Sequence, residues 1–314
     1  MRTLLLLWLF VAPSSDTLQV MFWNVENFFD WRNDSTTVSD VEFSAAGERH
    51  WTWKRFQAKA NAFAKALFWV EAETGRLPDI IGLEEVENAF VLRQVLQKTA
   101  LRKLDYKYIH YDSPDRRGID VALLYRTSRL ELLDSKPCHL FSADTVMATR
   151  DILLCVFQRD SAKVAVLVNH HPSKYGGAAE SEPRRRIAVE RLRFLADSLT
   201  SIGIDRIIAG GDFNDTPDNP VFGLLEPALA PMHMDLFRRG LGTIKYDGKW
   251  DLIDHIYVSP ALTPLSRMQI LRIPFLLTRD TVHSGEKPLR TYTGPRHTGG
   301  VSDHLPVLLE VHFQ

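Results

Sequence analysis

Six short apolar runs, spread from one end of the chain to the other, each carry an Asn, Asp, Glu or His at an edge. Asn24 closes the run 18–25, Glu84 and Glu85 follow 80–83, and Asn169 with His170 follows 164–168. Asp212 and Asn214 follow 207–211, Asp254 lies inside 253–258, and Asp303 with His304 precedes 307–311. The runs have strand length and strand composition. A single polar residue at such an edge reads as a turn or a cap. Six edges drawn from so narrow an alphabet read instead as one site, because loops converge at strand ends in layered α/β proteins.

The rest of the chain fills in the layers. Phe56, Ala60, Phe63, Leu67 and Val70 recur at helical spacing and predict a helix over 54–73, stopped by Gly75 and Pro78. A second helix is predicted over 88–103, and a third from near Pro183 to Thr200, with Ser181 as its cap. Further strand-like runs cover 121–125 and 152–157. Helices and strands do not alternate strictly, and several neighbouring strands are joined by short loops, so mixed sheets are expected rather than a purely parallel one. No linker composition interrupts the pattern, and residues 16–314 are read as one domain.

Composition limits the function classes. The 314 residues are 45% hydrophobic and 25% charged, with 38 Lys and Arg against 39 Asp and Glu, a formal net charge of −1. That balance excludes binding of nucleic acid by bulk charge, so an anionic substrate must be held locally. The opening MRTLLLLWLFVAPSSD has one arginine, an apolar stretch too short to span a bilayer and small residues behind it. It predicts a secretory signal peptide over residues 1–15 and a secreted or periplasmic protein. The two cysteines, Cys138 and Cys155, lie on runs that suggest a hairpin, and a symmetric hairpin sets them opposite each other. A disulfide and two buried free thiols are both open readings.

The polar set suits one chemistry. Asn24, Glu85 and Asp303 are hard oxygen ligands, matched to Mg²⁺ or Mn²⁺. No His/Cys cluster has zinc spacing. His170 and His304 suit hydrogen bonding to phosphate oxygens, with Asp254 to fix the His304 tautomer. Asp212 suits holding or deprotonating a water, and Asn214 suits a donor to developing negative charge. Together these are the parts of phosphoryl hydrolysis.

In the same order, the segments FWNVENFFD, DIIGLEEVEN, VNHHPSK, GGDFNDTP, LIDHIYVS and GGVSDHLPV resemble the endonuclease/exonuclease/phosphatase superfamily, which includes DNase I and exonuclease III. The likeness covers nearly the whole chain after residue 15. It implies a four-layer α/β sandwich, two mixed sheets face to face with helices outside. It also implies metal ligands at Asn24, Glu85 and Asp303, and catalytic groups at His170, Asp212, Asn214, Asp254 and His304. Arg150, in TRDIL, corresponds to a family arginine that touches phosphate. Two departures stand out: Glu84 occupies a position where the family often has Gln, and His171 stands beside His170. The segment 273–298 is either a substrate lip or a surface loop.

The expected activity is metal-dependent phosphodiester hydrolysis by a secreted nuclease, with nucleic acid as a non-specific substrate. Local cations such as Arg116, Arg117, Lys174, Arg184 and Arg290 are available for it. The alternative is a phospholipid or small phosphoester hydrolase of the same superfamily. A binding protein that kept the fold and lost the chemistry is disfavoured by the intact polar set.

Overall fold

The computed structural model describes residues 16–34, 37–174 and 177–313. The predicted signal segment 1–15 lies outside the described residues. Two six-stranded mixed sheets form the frame. The first contains β1 (Thr17–Phe28), β2 (Ile80–Val86), β3 (Tyr106–His110), β4 (Asp120–Arg126), β11 (Ser266–Ile270) and β12 (Val307–His312), in the spatial order β11-β12-β1-β2-β4-β3. The second contains β5 (Glu131–Cys138), β6 (Ile152–Arg159), β7 (Ala162–His170), β8 (Ile207–Asp212), β9 (Ala230–Pro231) and β10 (Asp254–Val258), in the order β9-β10-β8-β7-β6-β5. Each sheet has one parallel pair near its centre, β1 with β2 and β7 with β8. The remaining pairs are antiparallel, as the short loops suggest.

Side-chain alternation along the strands makes four layers. Val20, Phe22, Ile80, Val166, Val168, Ile208 and Ile256 point between the sheets and are buried. Met21, Trp23, Ile81 and Leu83 point the other way, onto helices α1 (Trp53–Thr74) and α2 (Ala89–Lys98). Leu154, Leu167, Ile207 and Ala209 face helix α3 (Ala178–Ser201). This is the expected four-layer sandwich. Among the described residues, no helix is long and apolar enough to cross a membrane.

Local chemistry sets the helix ends. Thr52 caps α1 and Gly75, at φ 80°, closes it. The predicted second helix divides: α2 ends at Lys98, Thr99 turns extended, and its hydroxyl caps a 3₁₀ turn over Ala100–Lys103. The third helix starts at Ala178, earlier than predicted. Ser181 lies within its first turn, donating to the Gly177 carbonyl at 2.7 Å, and Pro183 sits inside the helix.

The cysteine pairing is corrected. β5 and β6 do form an antiparallel pair, but Cys138 lies opposite Ile152 and Cys155 opposite Ser135. Around the tip, the strip Phe141–Ser142 pairs with Thr145–Val146, so the returning arm uses three more residues than the outgoing one. Both cysteines are buried free thiols.

Candidate active site

The parallel pairs bring three of the predicted residues, with Glu84, to one end of the sandwich. Asn24 lies opposite Glu84 across β1–β2, and His170 opposite Asp212 across β7–β8. Asp254, at the start of β10, lies opposite Asp212 on its other side. His304 arrives on the loop before β12, fixed at both ends: its backbone N–H donates to Ser302 Oγ at 2.9 Å, and its carbonyl accepts from Trp23 Nε1 at 3.0 Å. Ser302 Oγ in turn donates to the Asn24 carbonyl at 2.5 Å.

Two glycines make room for Asp212. A Cβ on Gly210 would stand 2.4 Å from the Phe22 ring. A Cβ on Gly211, whose φ is +128°, would stand 2.1 Å from the Asn169 carbonyl oxygen and 2.6 Å from Glu84 Oε1. Gly210 is therefore demanded by how closely the sheets approach, and Gly211 by its positive φ and by the neighbouring strand's carbonyl.

Asp212 is the centre of the cluster. Its Oδ1 accepts from the Asn214 backbone at 2.8 Å and its Oδ2 from Asn24 Nδ2 at 3.0 Å. Nε2 of His170 stands 3.6 Å from Oδ2, and Nε2 of His304 stands 3.9 Å from it. Burial lifts the Asp212 carboxyl to about 7; Asp254 acts in the same sense, and His304, Asn214 and Asn24 act against it.

The two histidines are held in different states. Burial opposes a charge on His304, but Asp254, Asp212 and Asp303 outweigh it and hold the imidazole well above its ordinary value. The Asp254 contact is direct, Nδ1 to Oδ2 at 2.8 Å, and Thr243 Oγ1 also donates to that carboxylate. His170 is pushed well below its ordinary value, first by burial and then by Arg150, Arg117 and His304. One imidazole is thus a cation and the other neutral, on either side of one carboxyl.

The ambiguous neighbours separate cleanly. His171 turns its ring onto Phe213, 4.4 Å between centroids, and burial drives it to about 3. It is a core histidine. Glu84 is wholly buried beside Asp212 and Asp254, and neither of its carboxylate oxygens has a hydrogen-bond partner. Burial, then those two charges, push its carboxyl well above the ordinary value. Glu85, next along the strand, falls on the opposite face by simple alternation, and its φ of 65° at a break in the register returns Val86 to the helix side. Its Oε2 accepts from the Asn27 backbone at 2.7 Å, and Arg117 stands 3.6 Å from Oε1.

Beside this lies a carboxylate group that the sequence reading left unassigned. Glu26 is buried, and Arg290 bridges it to Asp303, with Nη2 3.0 Å from Glu26 Oε1 and 2.9 Å from Asp303 Oδ2. Lys59, fully buried on α1, donates to the Glu26 carbonyl and, at 2.9 Å, to Thr291 Oγ1. Glu26, Glu85 and Asp303 all act on Lys59. Burial and then Asp303 lift the Glu26 carboxyl to about 7. Glu26, Glu85 and Asp303 thus surround the two cations Lys59 and Arg290, and their oxygens are hard donors of the kind a divalent cation takes. Asn24, the third expected metal ligand, joins these carboxylates to the Asp212 cluster: its side-chain oxygen accepts from the Glu26 backbone at 2.9 Å and its amide donates to Asp212 at 3.0 Å. Among the described residues, the group of His and acids whose ligand atoms all lie within 4.8 Å of one another is His110, Asp112 and Asp120.

Arg150 is also committed. Nη1 meets Asp115 Oδ2 at 3.0 Å and Nη2 donates to the His171 carbonyl at 2.7 Å. Asn214 donates its side-chain amide to that same carbonyl at 3.0 Å. The signals for the missed residues were faint but real. Glu26 is two residues from Asn24 on one strand, and Lys59 falls among the apolar positions of α1. Thr243 had no local signal.

The chain matches the model of the endonuclease/exonuclease/phosphatase family over residues 19–313. Protein angel of Drosophila melanogaster is 25% identical over 213 residues, 62% of this chain and 57% of that protein. The chain thus spans a little over half the length of that curated relative. Its fold is similar to that of the mannosyl-6-phosphatase of Bacteroides thetaiotaomicron, at TM-score 0.60 and 17% identity over 94% of this chain and 100% of that one. It is also similar to D. rerio TDP2 complexed with a single-strand DNA product, at TM-score 0.57 and 16% identity over 94% and 98% of the two chains. Matched over nearly its whole described length, and carrying a phosphoester hydrolase's polar cluster at the end of a two-sheet sandwich, this chain belongs to the endonuclease/exonuclease/phosphatase family.

Proposed function

We propose that the protein is a divalent-metal-dependent phosphodiesterase that cuts nucleic acid, exported from the cell where it is made. The observation that carries the chemistry is Asp212 held between a neutral His170 and a cationic His304. Asp212 takes the proton of the attacking water: its carboxyl titrates near neutrality, and Asn24 and Asn214 fix its orientation. His304, kept charged and aimed by Asp254, donates a hydrogen bond to a phosphoryl oxygen as negative charge develops there. His170 accepts or donates on the other side without adding charge. Glu85 and Asp303, with Asn24 and Glu26 beside them, are the residues that would hold the metal, Mg²⁺ or Mn²⁺ by ligand hardness. When bound, such an ion neutralises phosphoryl charge. Arg150, paired with Asp115 and adding positive field at His170, is the residue expected to favour a bound phosphate.

Nucleic acid is favoured by the rim. Arg117, Lys174 and Arg290 are half-exposed, with side-chain exposures of 44%, 45% and 49%. Each is anchored by an acid of, or next to, the cluster, namely Glu85, Asp215 and Asp303. Cations spread along a rim follow a chain of phosphates better than a single phosphate group. The test is nicking of supercoiled plasmid in Mg²⁺ or Mn²⁺, with an EDTA control and the His304→Ala protein. Metal-dependent nicking lost in the variant supports the reading. Intact plasmid, with turnover of phospholipid vesicles or a sugar phosphate by the same protein, replaces it with the small-phosphoester alternative. Export is tested by the N-terminal sequence of the protein recovered from the periplasm or medium, which should lack residues 1–15.

A further inference from the structure

Away from the catalytic end, α2 and the turn Ala100–Lys103 overhang the edge strand β3. Tyr106, at the start of β3, pairs with Arg126, whereas the catalytic end of β4 is Asp120, opposite Val86. Two cavities of about 550 and 450 Å³ open here and share Arg102 and Leu104. Leu96, Leu101, Tyr108 and Phe68 line their apolar parts. Five cations, Arg93, Lys98, Arg102, Lys103 and Lys107, line their polar parts, and all five are exposed. Residues 89–104 contain no Asp or Glu. The acid that follows, Asp105, is taken by Arg126 Nε at 3.0 Å and by the Ser128 backbone at 2.6 Å. In a chain of net charge −1, this is a local excess of positive charge along a groove.

We propose that this groove is an accessory site for the phosphate backbone of a single nucleic acid strand, separate from the catalytic cluster. The inference rests on the nucleic-acid reading above and extends it. Two adjoining hollows with cations along both suit a flexible strand, whose phosphates meet the cations while sugars and bases lie over the apolar floor. A membrane surface fits less well, because docking there needs protruding apolar side chains. None of the large exposed hydrophobic residues lies in this groove.

The test is fluorescence anisotropy of a labelled oligothymidylate with metal chelated, over a salt series. The variant is Arg102→Ala, Lys103→Ala and Lys107→Ala together, none of which belongs to the catalytic cluster. Removing three phosphate contacts at about 0.7 each should lower the log–log salt slope by about 2 and weaken binding at low salt at least tenfold. Hydrolysis of bis(p-nitrophenyl) phosphate should be unchanged, which also shows that the variant folds. The charge-preserving variant Arg102→Lys should keep the wild-type slope. An unchanged affinity and slope in the triple variant overturns the proposal. So does loss of binding to phosphatidylserine vesicles with oligonucleotide binding intact, which gives the groove to a membrane. The two readings can fail separately. A protein that cuts nucleic acid, with a variant that binds and cuts it equally well, loses only the groove. A protein that cuts none, yet loses oligonucleotide binding in the variant, loses only the nuclease activity.

Discussion

Glu84→Gln should make the protein more stable, and increasingly so as pH rises. Glu84 is wholly buried, and neither oxygen is hydrogen-bonded. Burial, Asp254 and Asp212 push its carboxyl well above the ordinary value. The sign follows from linkage. A group whose folded pKa is raised contributes stability that is fully present below its unfolded value, near 4.3 for Glu, and is lost as pH rises through the folded value. Between those limits the loss is about 1.4 kcal/mol per pH unit. Glutamine has the same shape and carries no ionisable proton, so it does not suffer this loss. The advantage of the variant over the wild type should therefore grow with pH above the unfolded value, by up to about 1.4 kcal/mol per pH unit, roughly 2 °C in Tm per unit for a chain of this size. The assay is thermal melting of both proteins in EDTA at a series of pH values, read as the difference between them, so that groups not coupled to Glu84 cancel. The variant should also keep its hydrolytic activity, because a neutral amide replaces a neutral acid. An advantage that stays flat or shrinks with rising pH would refute the reasoning, since it would mean that Glu84 is ionised in the folded protein.

Asp254→Asn should cost about 10²–10⁴ in kcat, because His304 loses the charge that keeps it protonated. In the wild type, activity should rise with pH as Asp212 deprotonates near 7 and fall at higher pH as His304 loses its proton; the Asp254→Asn profile should bring that fall to lower pH. Lys59→Met should destabilise the fold by about 3–5 kcal/mol in urea unfolding, because a buried cation beside Glu26 disappears while the carboxyl stays. The loss should be smaller in millimolar Mg²⁺ than in EDTA. Thiol titration should find two free thiols in the unfolded, unreduced protein and neither reactive in the folded one, since Cys138 and Cys155 are buried and not bonded.

How much of this was legible in the chain varies from residue to residue. The six apolar runs became strands of the two sheets, and the polar residues at their edges gathered at one end. That much follows from period-two alternation and from the order of the segments, both local properties. The pairing of Asp254 with His304 was also readable, because a working imidazole needs a carboxylate and only a few were placed to supply one. The choice between Glu84 and Glu85 was not readable. It depends on which face of β2 the second sheet covers: alternation turns the adjacent carboxylates in opposite directions, and only packing buries Glu84 between the sheets. His170 and His171 posed the same problem, settled by which ring Phe213 could cover. Strand register escaped as well: the uneven tip between β5 and β6 moved the cysteines out of line.

The sequence by itself determined the layers, the site's alphabet and the absence of bulk positive charge, because each is a matter of which residues neighbour which along the chain. Only the tertiary structure decided that Lys59, 232 residues from Thr291, shares a buried corner with Glu26, and that Arg290 bridges Glu26 to Asp303. Such contacts leave no periodic trace, because their partners arrive from separate layers. The charges they set depend on burial, which exists only once the two sheets have closed on each other.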